Sequence, residues 1–185
     1  MAVDYFGTFF TEESFDFTGL INADFFQPVR ILYQNQYYVS AVKLLVIAID
    51  SIAFVEFGDV NGENFFVKWL NTYADLSTVG ITSDELWEHR NSLLHMSNLD
   101  SRKVQSGKIR RLIPYVGEIP PDVALDEAKT GYYSLQKLIY AIAQACGKWS
   151  KTYDDKREKT HSFVDRYDLI ASDARMLRIK IDAQE

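Results

Sequence analysis

Three side chains within six residues could handle a phosphate group. Arg90 and Asn91 are adjacent, and His95 follows five positions after the arginine. A guanidinium stabilises the extra negative charge of a pentavalent phosphorane through a planar, two-pronged donor fork. An imidazole accepts and donates protons near neutral pH. Asn91 could orient that imidazole or hold a phosphate oxygen, and Ser92 could add a hydroxyl. Such a set suits the cutting of RNA by its own 2′-hydroxyl, which attacks the adjacent phosphate without a metal. One histidine is not a full acid–base pair, so a homodimer presenting two copies of the set would complete it.

The elements that position these residues are helical. Thr82 and Glu85 read as a capping box, so a helix starts at about Ser83. Leu86, Trp87, Leu93 and Leu94 share one face of it at the 3.6-residue period, and Arg90 falls in the middle of that face. Asn91 and His95, four positions apart, lie together on its flank. His89 points about 100° away from Arg90 and is expected to face solvent. A guanidinium inside an apolar stripe needs a partner, an interface or a route to water. The best partner is Asp50, a carboxylate in the middle of the most apolar segment. Two compatible readings follow: a structural buried ion pair, or an aspartate that orients Arg90 toward a phosphate.

Arg90-Asn91-Ser92-Leu93-Leu94-His95 resembles the Arg-x4-His signature of HEPN domains, in which a polar residue, often Asn, follows the arginine. The resemblance takes in a long apolar helix upstream, a further helix, the motif helix and a later amphipathic helix, over residues 25–149. It implies an all-α, HEPN-like helical bundle that dimerises to form a composite site. It also implies metal-independent endoribonuclease activity, with Arg90, Asn91 and His95 as the catalytic set and Asp50 and Ser92 in support. The products would carry a 2′,3′-cyclic phosphate and a 5′-hydroxyl. Many such domains act as toxins, with an antitoxin protein as partner, or in defence against phage.

The whole chain sets bounds on this. Its 185 residues suit one domain with ample core. A single cysteine, Cys146, excludes a disulfide framework or a cysteine zinc site within one chain, and it reads as a small core residue. There is no HExxH pair, Gly-rich phosphate loop or Gly-x-Ser-x-Gly elbow, so no metal or other cofactor is expected. The start, Met1-Ala2-Val3-Asp4, lacks a basic, apolar leader, and a cytoplasmic protein is expected. A net charge of −6 argues against extended, high-affinity nucleic-acid binding but allows a small site of positive potential.

Along the chain, residues 1–23 read as an aromatic, irregular arm, and Asp24 as the cap of a helix carrying Phe25, Phe26, Val29, Leu32 and Tyr33. Tyr37 to Phe57 is long enough to span a bilayer, but Lys43, Asp50 and Glu56 interrupt it, so it reads as a central buried helix and no membrane association is expected. Asn61 caps a helix from Gly62 to about Leu76. Past the motif helix, Arg102, Lys103, Lys108, Arg110 and Arg111 fall in ten residues without an acid. They read either as a solvated basic turn or as a patch for the RNA backbone. Ile109 to Val116 is strand-like, and Val123 to Leu125 is expected to pair with it as a small β-hairpin or extended insertion. Tyr132 to Trp149 is an amphipathic helix. Residues 150–185 read as a charged extension of exposed helices that could fold over a partner subunit, and His161 within it has no assigned role.

Two rival readings stay open beside the enzyme. One is a non-catalytic HEPN-like module that binds RNA, nucleotides or a protein. The other is a structural dimer in which Arg90 and Asp50 are only a buried pair.

Overall fold

The longest apolar run becomes the central helix. The computed structural model describes residues 6–9, 15–59, 62–95, 100–154, 156 and 158–170. In it α3 spans Tyr38–Phe57 and buries Ala41, Val42, Leu45, Val46, Ala48, Ile49, Ile52, Ala53 and Val55. By length and composition α3 could cross a membrane. In this fold it is the core helix, packed against α2 (Gln27–Gln34), α4 (Phe65–Tyr73), α5 (Ser83–His95), α7 (Leu135–Asp154) and α8 (Glu158–Ile170). The chain is mainly helical, with one two-stranded sheet among the described residues.

The first helical run starts earlier than Asp24. Asp16 caps α1 (Phe17–Ile21) by accepting from the Gly19 amide at 2.8 Å. A Cβ at position 19 would lie 2.1 Å from that carboxylate, so a larger residue there would make the Asp16 side chain shift. A π-helical turn at Asn22–Phe26 leads directly into α2. Asp24 therefore sits inside the run and caps nothing; its carboxylate accepts from the Tyr167 hydroxyl of α8. The expected aromatic arm is thus partly helical, and Phe17 packs edge-on against Trp149 with ring centroids 5.0 Å apart.

Asn64 caps α4 through a 3.1 Å bond from the Val67 amide, and Asn61 lies outside the described residues. Phe66, Trp69 and Leu70 are fully buried, as their spacing requires. The capping box of α5 closes in both directions. The Thr82 amide donates to Glu85 Oε2 at 2.8 Å, and the Glu85 amide donates to Thr82 Oγ1 at 3.2 Å.

The expected hairpin does not form. A short helix, α6 (Arg102–Gln105), precedes β1 (Arg111–Tyr115), which pairs in parallel with β2 (Thr130–Ser134), Leu112 opposite Gly131 and Ile113 opposite Tyr132. Parallel strands need a long crossover, which residues 116–129 supply, so Val123 to Leu125 lie in the connection. Tyr132 and Tyr133 suit a pleated surface and belong to β2, so α7 begins at Leu135 and extends to Asp154.

The region after Trp149 is less exposed than its composition suggests. In α8, Phe163 and Tyr167 are buried against the chain's own core. Arg166 donates to the carbonyls of Val55 and Glu56, at 2.9 and 2.8 Å, satisfying the otherwise open end of α3. Glu56 itself, nearly buried, accepts from Tyr73, Trp149, Tyr153 and Lys159 at 2.8–3.2 Å and so joins α3, α4, α7 and α8. Residues 171–185 lie outside the described residues.

Candidate phosphate-handling site on the motif helix

Arg90 is held from three directions. One terminal nitrogen donates to Asp50 Oδ2 across the α3–α5 contact. The other donates to Asn91 Oδ1 at 3.1 Å. The guanidinium lies over the Trp87 ring, 5.0 Å from its centroid. The Arg90 and Asp50 side chains are 18% and 23% exposed, so the pair opens to solvent at its edge. Nε of Arg90 and Oδ1 of Asp50 are buried and find no hydrogen-bond partner among the described residues. The guanidinium is therefore oriented while part of its donor fork is unused.

The rim around this pair is apolar. On α3, Ile47 and Phe54 lie one turn either side of Asp50, and Ile47 is 42% exposed. On α5, Trp87 and Leu94 flank Arg90 and Asn91 at the same spacing and are half-buried.

The other residues of the motif divide sharply. His95 is exposed and is the last residue of α5. Asn91 gives its carbonyl oxygen to Arg90 and so positions the arginine, not the imidazole. Ser92 is buried, and its hydroxyl donates to the Glu88 carbonyl one turn back at 3.0 Å, a bond within the helix itself. Five positions along an α-helix amount to about 7.5 Å of rise and roughly 140° of rotation. Arg90 and His95 of one chain therefore point to different sides of α5.

His89 corrects an expectation. It is 3% exposed, with Nε2 3.1 Å from the Tyr133 hydroxyl and its ring edge-on to that tyrosine. Burial pushes the imidazole pKa down to about 4, so the ring is neutral at pH 7. The helical period places His89 off the apolar stripe correctly. What it does not reveal is a second cover: the sheet lies over that side of α5, and Glu85, Glu88 and His89 are all buried there.

The basic segment is largely compensated. Arg110 makes a two-pronged contact with Glu85, at 2.6 and 3.2 Å, and Arg111 a similar one with Asp100, at 2.6 and 2.8 Å. Lys103 reaches Glu88 at 2.9 Å. Burial opposes the charge on Glu85, but hydrogen bonds from Arg110 and Thr82 outweigh it and hold the carboxyl below its usual range. Arg102 and Lys108 are exposed. Lys108, Arg110 and Arg111 line a cavity of about 580 Å³ that also takes in Lys129 and Asp126. Sequence proximity could not find Lys129, because the parallel pairing of β2 brings it there.

The geometry thus offers an oriented, partly unused guanidinium within an apolar rim, and an exposed imidazole a turn and a half away. No protein-family model, curated protein or solved structure matches the chain.

Proposed function

We propose that this chain is a cytoplasmic, HEPN-like endoribonuclease that works as a homodimer and needs no metal, in a toxin or phage-defence role. The observation that carries the reading is the fixation of Arg90 by Asp50 and Asn91 on a helix that ends in an exposed His95. An arginine aimed by a carboxylate and an amide is prepared to meet developing negative charge without reorganising.

Because Arg90 and His95 diverge around the helix axis, a second copy must complete the site. The apolar rim of Ile47, Phe54, Trp87 and Leu94 gives that copy a surface to cover, and the partly exposed Asp50–Arg90 pair lies within it. In the composite cleft, His95 of one chain takes the proton of the 2′-hydroxyl. The 2′-oxygen bonds to phosphorus, and the bond from phosphorus to the 5′-oxygen breaks. His95 of the second copy returns a proton to that oxygen, and the two Arg90 side chains hold the phosphorane.

Cleavage of a labelled RNA in excess EDTA tests this. Native protein should leave cyclic-phosphate ends, and folded His95→Ala should leave the RNA intact. Cleavage undiminished in His95→Ala would overturn the assignment. A second reading, a non-catalytic HEPN-like module for RNA, nucleotides or a protein such as an antitoxin, draws on the ion pairs of Lys103, Arg110 and Arg111, which weaken any hold on an RNA backbone. Inactivity of the native protein on several RNAs would favour it.

A further inference from the structure

A second site lies away from the motif helix. The helical run from Phe17 to Tyr33 and one side of α7 enclose a groove of about 470 Å³. Phe17, Ile21 and Phe26 form one wall, and Ile139, Ala143 and Cys146 the other. From Gln136 to Ser150 the α7 wall runs roughly 20 Å, at 1.5 Å of rise per residue.

The lining carries one charge. Arg30 borders the groove, is exposed, and has no ion pair or hydrogen bond among the described residues. No acidic side chain lines the groove among those residues, although the chain as a whole has a net charge of −6. Arg90, Arg110 and Arg111 are tied to carboxylates and Arg166 to backbone carbonyls; Arg30 and Arg102 are not, and of these two only Arg30 borders an apolar cavity.

A long apolar trough with one unpaired guanidinium at its border is complementary to a molecule with one apolar tail and one anionic head. Its volume lies within the usual range for small-ligand sites. We propose that the groove binds a single-tailed amphipathic carboxylate of the medium-chain fatty-acid type, with the tail between α1 and α7 and the carboxylate on Arg30. The inference is independent of the RNA chemistry, because none of the lining residues belongs to the motif helix.

Calorimetric titration with decanoate, and with decanol as its neutral counterpart, tests the proposal on the full chain. Native protein should bind decanoate at one site. Arg30→Met should weaken decanoate about tenfold, the size of one charge-assisted hydrogen bond, and leave decanol unchanged. Ala143→Trp should block both ligands. Position 143 is exposed, so the variant should fold, and Gly147→Phe provides a second obstruction, since a Cβ at Gly147 meets nothing within 4 Å. The proposal fails if native protein binds no decanoate, if Arg30→Met weakens both ligands equally, or if neither obstruction affects binding. It also fails if Ala143→Trp halves the mass in solution, which would make the groove a contact between copies.

Discussion

The Tyr133 hydroxyl stands 3.1 Å from Nε2 of His89, and this contact ties β2 to the helix that carries Arg90 and His95. Nδ1 of His89 has no partner among the described residues. A proton added to this ring would charge a group that is cut off from water. The folded pKa, about 4, lies below the ordinary value of 6.5, so between those values the unfolded chain binds a proton that the folded chain does not. Stability should be full above pH 6.5 and fall as the pH drops toward 4, by about 3 kcal/mol from this group. Urea midpoints at pH 7 and pH 5 measure it. His89→Leu should flatten the dependence across that window.

Asp50 and Arg90 should behave as a coupled pair. Arg90→Ala leaves the carboxylate of Asp50 partly buried and unpaired, at a cost of roughly 2 kcal/mol. Asp50→Asn in the same chain should recover much of that loss, and RNA cleavage should stay absent. A thermal-melt double-mutant cycle run beside the cleavage assay separates the two effects. Recovery of activity along with stability would assign Arg90 a purely structural role.

Glu56 should be the costliest surface-proximal carboxylate to remove. Burial raises its pKa, but bonds from Lys159, Trp149 and Tyr73 outweigh that and hold it below the ordinary carboxylate range. Glu56→Leu takes the carboxylate from Lys159, from the buried Trp149 indole and from the half-buried Tyr73 and Tyr153 hydroxyls, and should lower stability by about 3 kcal/mol. Lys159→Met in the same background should cost little more. Urea unfolding of the four variants reads the coupling directly.

The basic segment should split by function. Arg110→Ala breaks the two-pronged contact with the largely buried Glu85 and should lower stability by about 1–2 kcal/mol. Lys108→Ala and Arg102→Ala should leave the melting temperature unchanged and weaken any RNA binding, with a shallower dependence on salt. Fluorescence anisotropy with a labelled RNA at several salt concentrations checks this.

Much of the site was legible in the sequence because its determinants are local. Thr82 and Glu85 are three residues apart, and their capping box set the start of α5 correctly. Arg90 in an apolar stripe and Asp50 in an apolar helix each lacked a partner, and they pair with each other. What local patterns could not show were covers supplied from far along the chain. His89 is buried by Tyr133, 44 positions away, and Asp24 is claimed by Tyr167, 143 positions away. The charged composition of α8 concealed Phe163 and Tyr167, because two fully buried aromatics spaced four apart suffice to dock a helix that is polar elsewhere. The parallel strand pair was missed for a related reason: short connections favour hairpins, and only the long crossover of residues 116–129 allows the alternative.

The hold of Arg166 on the end of α3 has a consequence for synthesis. The guanidinium and the Val55 carbonyl it caps are 111 positions apart. At translation rates of about 5–20 residues per second, the most apolar helix leaves the ribosome roughly 5 to 20 s before its cap exists. For most of that interval the Glu56 carboxylate also lacks Trp149, Tyr153 and Lys159. The nascent chain therefore carries an uncapped, apolar segment for most of its elongation.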